Sequence, residues 1–75
     1  MENLKDILNL FSNRLKEIMK ENNFNITNFA DFVEIPRTTV NSWILNKKVP
    51  RLDYLFKIAD KFNITLDYLV GREDI

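Results

Sequence analysis

The sequence predicts a compact all-α fold of five helices, and two features of the chain point to it. Its 75 residues contain a single glycine, Gly71, and both prolines, Pro36 and Pro50, fall between segments with helical periodicity. Within those segments the apolar residues recur three and four positions apart, as they do on one face of a helix. We interpret residues 1–11 as an N-terminal extension and residues 12–73 as one small domain.

Capping residues delimit the first two predicted helices. Ser12 is a suitable N-cap and Asn23 a suitable left-handed stop for a helix over about residues 13–22. Asn25 can cap a second, short helix that ends near residue 33. Apolar residues at helical spacing form their inward faces: Leu15, Ile18 and Met19 in the first helix, and Phe29, Ala30 and Val33 in the second.

The third helix is predicted over residues 36–45, because Pro36 suits a first helical turn. Its inward face holds Val40, Trp43 and Ile44, while Thr39 lies at the helix edge, where a hydroxyl suits a phosphate or a cap. The opposite face is polar and holds Arg37, Thr38, Asn41 and Ser42. Arginine and asparagine can each bind a base edge bidentately, but spacing alone favours a solvated polar face.

The last two predicted helices follow the loop at residues 46–50. The fourth is the most hydrophobic and runs from residue 52 to residue 63, with Leu52, Leu55, Phe56, Ile58, Ala59 and Phe62 at helical spacing. Thr65 caps a final short helix over residues 66–70, and Gly71 ends it in a left-handed conformation.

The extension at residues 1–11 continues the apolar pattern of the first helix. From the extension into the first helix, apolar residues follow one another at alternating intervals of four and three positions, as in a heptad repeat. They are Leu4, Leu8, Phe11, Leu15 and Ile18. Two heptads are too few to indicate a coiled coil. The segment is either an extra helix that covers the core, which we favour, or part of a dimer contact.

Composition excludes several classes of function. The chain has no cysteine and no histidine, so it lacks the residues of a disulfide framework, of a usual zinc site and of histidine-dependent catalysis. It also shows no paired carboxylates and no glycine-rich phosphate loop. We expect neither enzymatic activity, nor a metal, nor a cofactor. Charges at Glu2, Lys5 and Asp6 interrupt the apolar N-terminus, so we expect a cytoplasmic protein without a membrane segment.

Charge is distributed unevenly although the net charge is zero. Residues 34–51 carry four basic residues against Glu34 alone, namely Arg37, Lys47, Lys48 and Arg51. Acidic residues predominate in the flanking segments. A net charge of zero argues against nucleic-acid binding, whereas one basic belt suits a protein that docks a single face on phosphate.

Taken together, these elements resemble the Cro/repressor (Xre-type) helix-turn-helix family across residues 12–73. The family typically begins with Arg-Leu-Lys-Glu-Leu, here Arg14 to Ile18, and ends with Leu-Asp-Tyr-Leu-Leu-Gly, here Leu66 to Gly71. The intervening family features are Leu-Ala in helix two, a Ser/Thr-rich third helix ending in Trp, and a Gly-Lys-Pro loop. They match Phe29-Ala30, Arg37-Thr38-Thr39-Val40 with Trp43, and Asn46 to Pro50.

The resemblance implies a lambda-repressor-like domain whose third helix lies in the major groove of double-stranded DNA. On this basis the base-contacting residues are Arg37, Thr38, Asn41 and Ser42, and the loop residues at phosphates are Asn46, Lys47, Lys48 and Arg51, with Thr39 at the helix edge. The family commonly opens helix two with a phosphate-binding glutamine, where this chain has Ile26. We expect Asn25 or Thr27 to replace that anchor.

Other departures from the family concern the backbone and the core. The turn glycine is Glu34, which must adopt a left-handed conformation at a cost, and the loop glycine is Asn46, which tolerates that conformation. The family's arginine in helix one and glutamate in helix three are here Met19 and Ile44. Since both charges are replaced together, neither is left buried without a partner.

The resemblance therefore implies a sequence-specific DNA-binding transcriptional regulator, a repressor of phage or mobile-element type that binds an inverted-repeat operator as a homodimer. Relatives pair through helix five and the tail, which indicates a dimer contact at Tyr68, Leu69 and Ile75. The alternative is a protein-interaction module on the same fold, an antirepressor or regulatory subunit, which the zero net charge and Ile26 suit.

Overall fold

A computed structural model describes residues 3–72 and shows five helices in that range. They are α1 (Leu4–Glu21), α2 (Ile26–Val33), α3 (Arg37–Ile44), α4 (Leu52–Phe62) and α5 (Leu66–Leu69). The predicted all-α architecture is thus confirmed. Among the described residues, no helix has both the length and the apolar character needed to span a membrane.

Helix α1 is longer than predicted and passes through the expected boundary at residue 12. Its N-cap is Asn3, whose side chain accepts a hydrogen bond of 2.9 Å from the Asp6 backbone N–H. The assignment of Ser12 as N-cap is wrong. Ser12 lies buried inside the helix, and its Oγ donates to the carbonyl oxygen of Ile44 at 3.2 Å. An earlier cap and a continuous apolar stripe let the helix extend over the extension.

The other caps follow the sequence closely. Asn25 and Thr65 cap α2 and α5 as predicted, each accepting a backbone N–H three residues on. Helix α3 begins at Arg37, one residue later than predicted, with Pro36 as its N-cap. The residues expected in left-handed conformations have positive φ, namely Asn23, Glu34, Asn46 and Gly71. Asn63, predicted as the last residue of α4, also has positive φ (53°) and ends that helix instead.

All five helices contribute to the core, and Trp43 is its largest fully buried side chain. The Phe11 ring meets Trp43 edge-on at 5.6 Å between centroids, and Tyr54 meets the same indole at 5.9 Å. Phe11 thus joins the core from the end of the extension, whereas Leu4, Ile7 and Leu10 are exposed. The extension is the beginning of α1 and not an extra helix. Met19 is buried and Ile44 is partly buried against the core, but a direct contact between them stays a prediction.

Helix α4 departs from the pattern in one respect. Ile58 and Ala59 are buried, and Leu55 and Phe62 are partly buried against the core. Leu52 and Phe56, by contrast, are 61% and 49% exposed. The apolar stripe of α4 is therefore wider than the face that the core covers.

Candidate nucleic-acid interface

Helix α3 presents its polar face to solvent, as its spacing predicts. Val40 and Trp43 anchor the opposite face in the core, which fixes the rotation of the helix about its axis. Arg37, Thr38 and Asn41 are consequently exposed. Together with Ile26, these three residues line a shallow cavity of about 240 Å³ between the start of α2 and α3. Three of the four predicted base-contacting residues thus share one concave surface.

Arg37 is held from the neighbouring helix. Its Nη1 donates a hydrogen bond to Thr27 Oγ1 at 3.4 Å, and both residues are exposed. Thr27 lies in the first turn of α2, beside the position where the family commonly has glutamine. The sequence predicts Thr27 only as a phosphate contact. In the structure it also contacts Arg37, a side chain predicted to read a base.

Ser42, the fourth predicted base contact, is placed differently. It is half-buried, and its Oγ donates to the carbonyl oxygen of Thr38, one turn earlier, at 2.9 Å. The hydroxyl hydrogen is thus used within the helix, which leaves the oxygen as an acceptor for a base amino group. Thr39 is also half-buried at the helix edge. It stays a predicted phosphate contact.

The start of α2 supplies a second group of predicted phosphate contacts. Asn25 Oδ1 accepts the Asn28 backbone N–H at 2.7 Å as the helix cap. This bond uses the oxygen of the side-chain amide and does not involve its NH₂ group. Because a helix N-terminus favours anions, Asn25 and Thr27 are suitably placed for a DNA phosphate.

The loop between α3 and α4 is fixed to α1 by a contact that sequence reasoning missed. Asn46 has φ 59°, and its Nδ2 donates to Asn9 Oδ1 at 2.7 Å. The two residues are 37 positions apart, so no local pattern indicates the contact. Lys47 and Lys48 follow in the loop with exposed side chains. The loop therefore presents two lysines from an anchored backbone.

Arg51, the last predicted phosphate contact, has an intramolecular partner. Its guanidinium forms a bidentate pair with Asp53, with distances of 3.1 and 2.8 Å, and lies over the Tyr54 ring at 4.8 Å. Both charged side chains are largely exposed, so the pair contributes little stability. A phosphate would compete with Asp53 for the guanidinium.

The predicted dimer contact requires a correction. Leu69 is 0% exposed and belongs to the core, because the single turn of α5 directs it inward. It is not available to a second chain. Tyr68 is half-buried, with the Arg14 guanidinium 4.1 Å from its ring centroid. Ile75 lies outside the described residues.

Comparisons with known proteins identify the family of the helical domain. A family model described as helix-turn-helix matches residues 15–69, which include all of α2, α3 and α4. The HTH-type transcriptional regulator AnsR of Bacillus subtilis (strain 168) is 35% identical over 60 residues. The match covers 80% of this chain and 52% of the relative, so the chain spans about half the relative's length. No solved structure matches significantly.

Proposed function

The chain belongs to the Xre-type helix-turn-helix family, and from this membership we propose that it is a DNA-binding transcriptional regulator. The family consists of DNA-binding proteins rather than enzymes. The observation that carries the proposal is the exposed surface of Arg37, Thr38 and Asn41 around one shallow cavity, on a helix whose other face is anchored in the core. A major groove admits a helix presented in this way.

The side chains on this surface suit the reading of bases. Arg37 and Asn41 are four residues apart and therefore neighbours on the helix surface. Arginine binds guanine O6 and N7 bidentately, and asparagine binds adenine N6 and N7. Two adjacent residues of these types can read neighbouring base pairs. Thr38 and Ser42 supply shorter hydroxyl contacts on the same face.

The surrounding residues suit the phosphate backbone. Lys47 and Lys48 lie in the loop after α3, and Asn25 and Thr27 lie at the start of α2. Thr39, Asn46 and Arg51 complete the set. Contacts of this kind position a helix in the groove and make affinity depend on salt.

The finer proposal is a repressor of phage or mobile-element type that binds an inverted-repeat operator as a homodimer inside the cell. The name of the Bacillus relative supports a role in transcription regulation. Two copies related by a two-fold axis place their recognition helices in successive major grooves, so the half-sites lie about 10 base pairs apart.

Selection of bound fragments from a random double-stranded DNA pool tests this proposal. We expect an enriched inverted repeat with the spacing of one helical turn. The matched control is the double variant Arg37→Ala, Asn41→Ala, for which the enriched sequence should lose definition at two positions in each half-site. A pool that shows no enrichment for the parent protein contradicts the proposal.

A further inference from the structure

An exposed apolar patch lies at the beginning of α4, outside the surface proposed for DNA. It consists of Val49, Leu52 and Phe56, and we refer to it as the α4 patch. Val49 is 60% exposed and precedes the helix, while Leu52 and Phe56 share one helix face four residues apart. Single exposed apolar side chains are ordinary, whereas exposed apolar side chains that are close neighbours are typical of interaction surfaces.

We infer that the α4 patch is the surface through which a second copy of this chain binds. A two-fold interface requires a patch that is complementary to itself. One face of α4 meets this requirement; it carries Leu52, Phe56 and Asp60 at intervals of four residues. The face begins beside the basic loop that holds Lys47 and Lys48, and it ends at the exposed carboxylate of Asp60. When two α4 helices cross antiparallel, Leu52 of each copy lies on Phe56 of the other. The carboxylate of Asp60 then approaches the basic loop of the second copy.

Charge and position are consistent with a second copy of the chain as the partner. The net charge of zero means that two copies do not repel each other as whole molecules. The α4 patch also directly follows the loop that carries Lys47 and Lys48, so it borders the α3 surface instead of opposing it. An inverted repeat needs both α3 helices on the same side of the dimer, and a contact patch that borders the α3 surface allows that arrangement. This last step rests on the proposed function, because an inverted repeat requires that placement.

The α4 patch also replaces Leu69, which is buried, as the centre of the dimer contact. Its residues face solvent, so substitutions there change the surface with little effect on the fold. Asp60 supplies an independent electrostatic test, because its proposed contact is with the other copy.

Sedimentation velocity of the whole chain without DNA tests the inference, over a concentration series up to about 1 mM. The parent should shift from monomer to dimer mass as concentration rises. The double variant Leu52→Ser, Phe56→Ser should dimerise at least about tenfold more weakly, and Asp60→Lys should also weaken dimerisation. Phe32→Ser is the control, since Phe32 is 41% exposed and lies on α2, outside the α4 patch, and this variant should dimerise like the parent.

A parent that stays monomeric throughout the series overturns the inference. So does a double variant that dimerises like the parent, or a Phe32→Ser control that loses dimerisation to the same degree as the double variant. Circular dichroism melting of each variant shows that the fold is retained. Because the measurement contains no DNA, its failure is distinct from a failure of the proposed DNA binding.

Discussion

Arg37 Nη1 and Thr27 Oγ1 form a hydrogen bond of 3.4 Å that joins the first turn of α3 to the first turn of α2. An arginine side chain loses considerable rotamer freedom when it is ordered on a base. A partner that already directs the guanidinium lowers that cost. Thr27 is thus a positioning residue for the side chain proposed to read a guanine.

The Thr27 contact gives the first prediction. Thr27→Val keeps the shape of the side chain and removes the acceptor, so binding to the preferred site should weaken by about 1 kcal/mol. Preference at the single base position read by Arg37 should relax as well. Thr27→Ser, which keeps the hydroxyl, is the control and should behave like the parent. Fluorescence anisotropy measures the affinity for the preferred and the scrambled DNA. If Thr27→Val weakens binding to both equally, Thr27 contacts phosphate alone and does not position Arg37.

The second prediction concerns the core position Met19, which is 8% exposed. Met19→Arg places a charge in the core, and we expect a loss of about 3–5 kcal/mol in the free energy of unfolding. Adding Ile44→Glu should recover much of that loss if the two residues are neighbours. Met19→Leu, which conserves volume, is the control and should cost less than about 1.5 kcal/mol. Urea unfolding measures all three, and a double variant no more stable than Met19→Arg shows that the pair does not interact.

The third prediction concerns the turn between α2 and α3. Glu34 has φ 58° and ψ 46°, a conformation that costs a residue with a side chain about 1 kcal/mol relative to glycine. Glu34→Gly should therefore raise the free energy of unfolding by about that amount. The backbone is held there in any case, since Lys57 Nζ donates to the Glu34 carbonyl oxygen at 3.0 Å.

Glu34→Ala is the matched control for the turn. It removes the carboxylate, which lies 3.7 Å from Lys61 Nζ at the surface, but keeps the strained conformation. Its stability should equal or fall slightly below that of the parent. If Glu34→Ala raises the free energy of unfolding as much as Glu34→Gly does, the gain comes from removal of the charge. That result contradicts the explanation by backbone strain.

Local chemistry explains which parts of the fold were predictable. Asn25 and Thr65 act as caps and Gly71 adopts a left-handed conformation because each depends on residues within one helical turn. Ser12 has the same capping chemistry, yet it lies inside α1 and donates to Ile44, 32 residues away. Asn3 caps the helix earlier and the apolar pattern continues past Ser12, so two local cap signals compete. No local rule reports the contact of Ser12 with Ile44.

The candidate site was predictable for a similar reason. Helical spacing placed Arg37, Thr38 and Asn41 on one exposed face, and the structure brings them together. Helical spacing could not predict contacts between residues far apart in the sequence, such as the hydrogen bond from Asn46 to Asn9. Leu69 was assigned to the dimer contact from the family resemblance, not from its own spacing, and its burial shows why that assignment failed.

The central claim is that α3 reads DNA sequence, and binding of matched variants at several salt concentrations tests it most directly. The DNAs are the selected site and a scrambled control. Arg37→Ala and Asn41→Ala should each cost about 1–3 kcal/mol on the selected site and much less on the control. Lys47→Ala should weaken both complexes nearly equally and lower the slope of log affinity against log salt by about one. Equal losses on both DNAs for Arg37→Ala and Asn41→Ala, or the absence of salt-dependent binding by the parent, contradict the account and favour a protein-interaction module on the same fold.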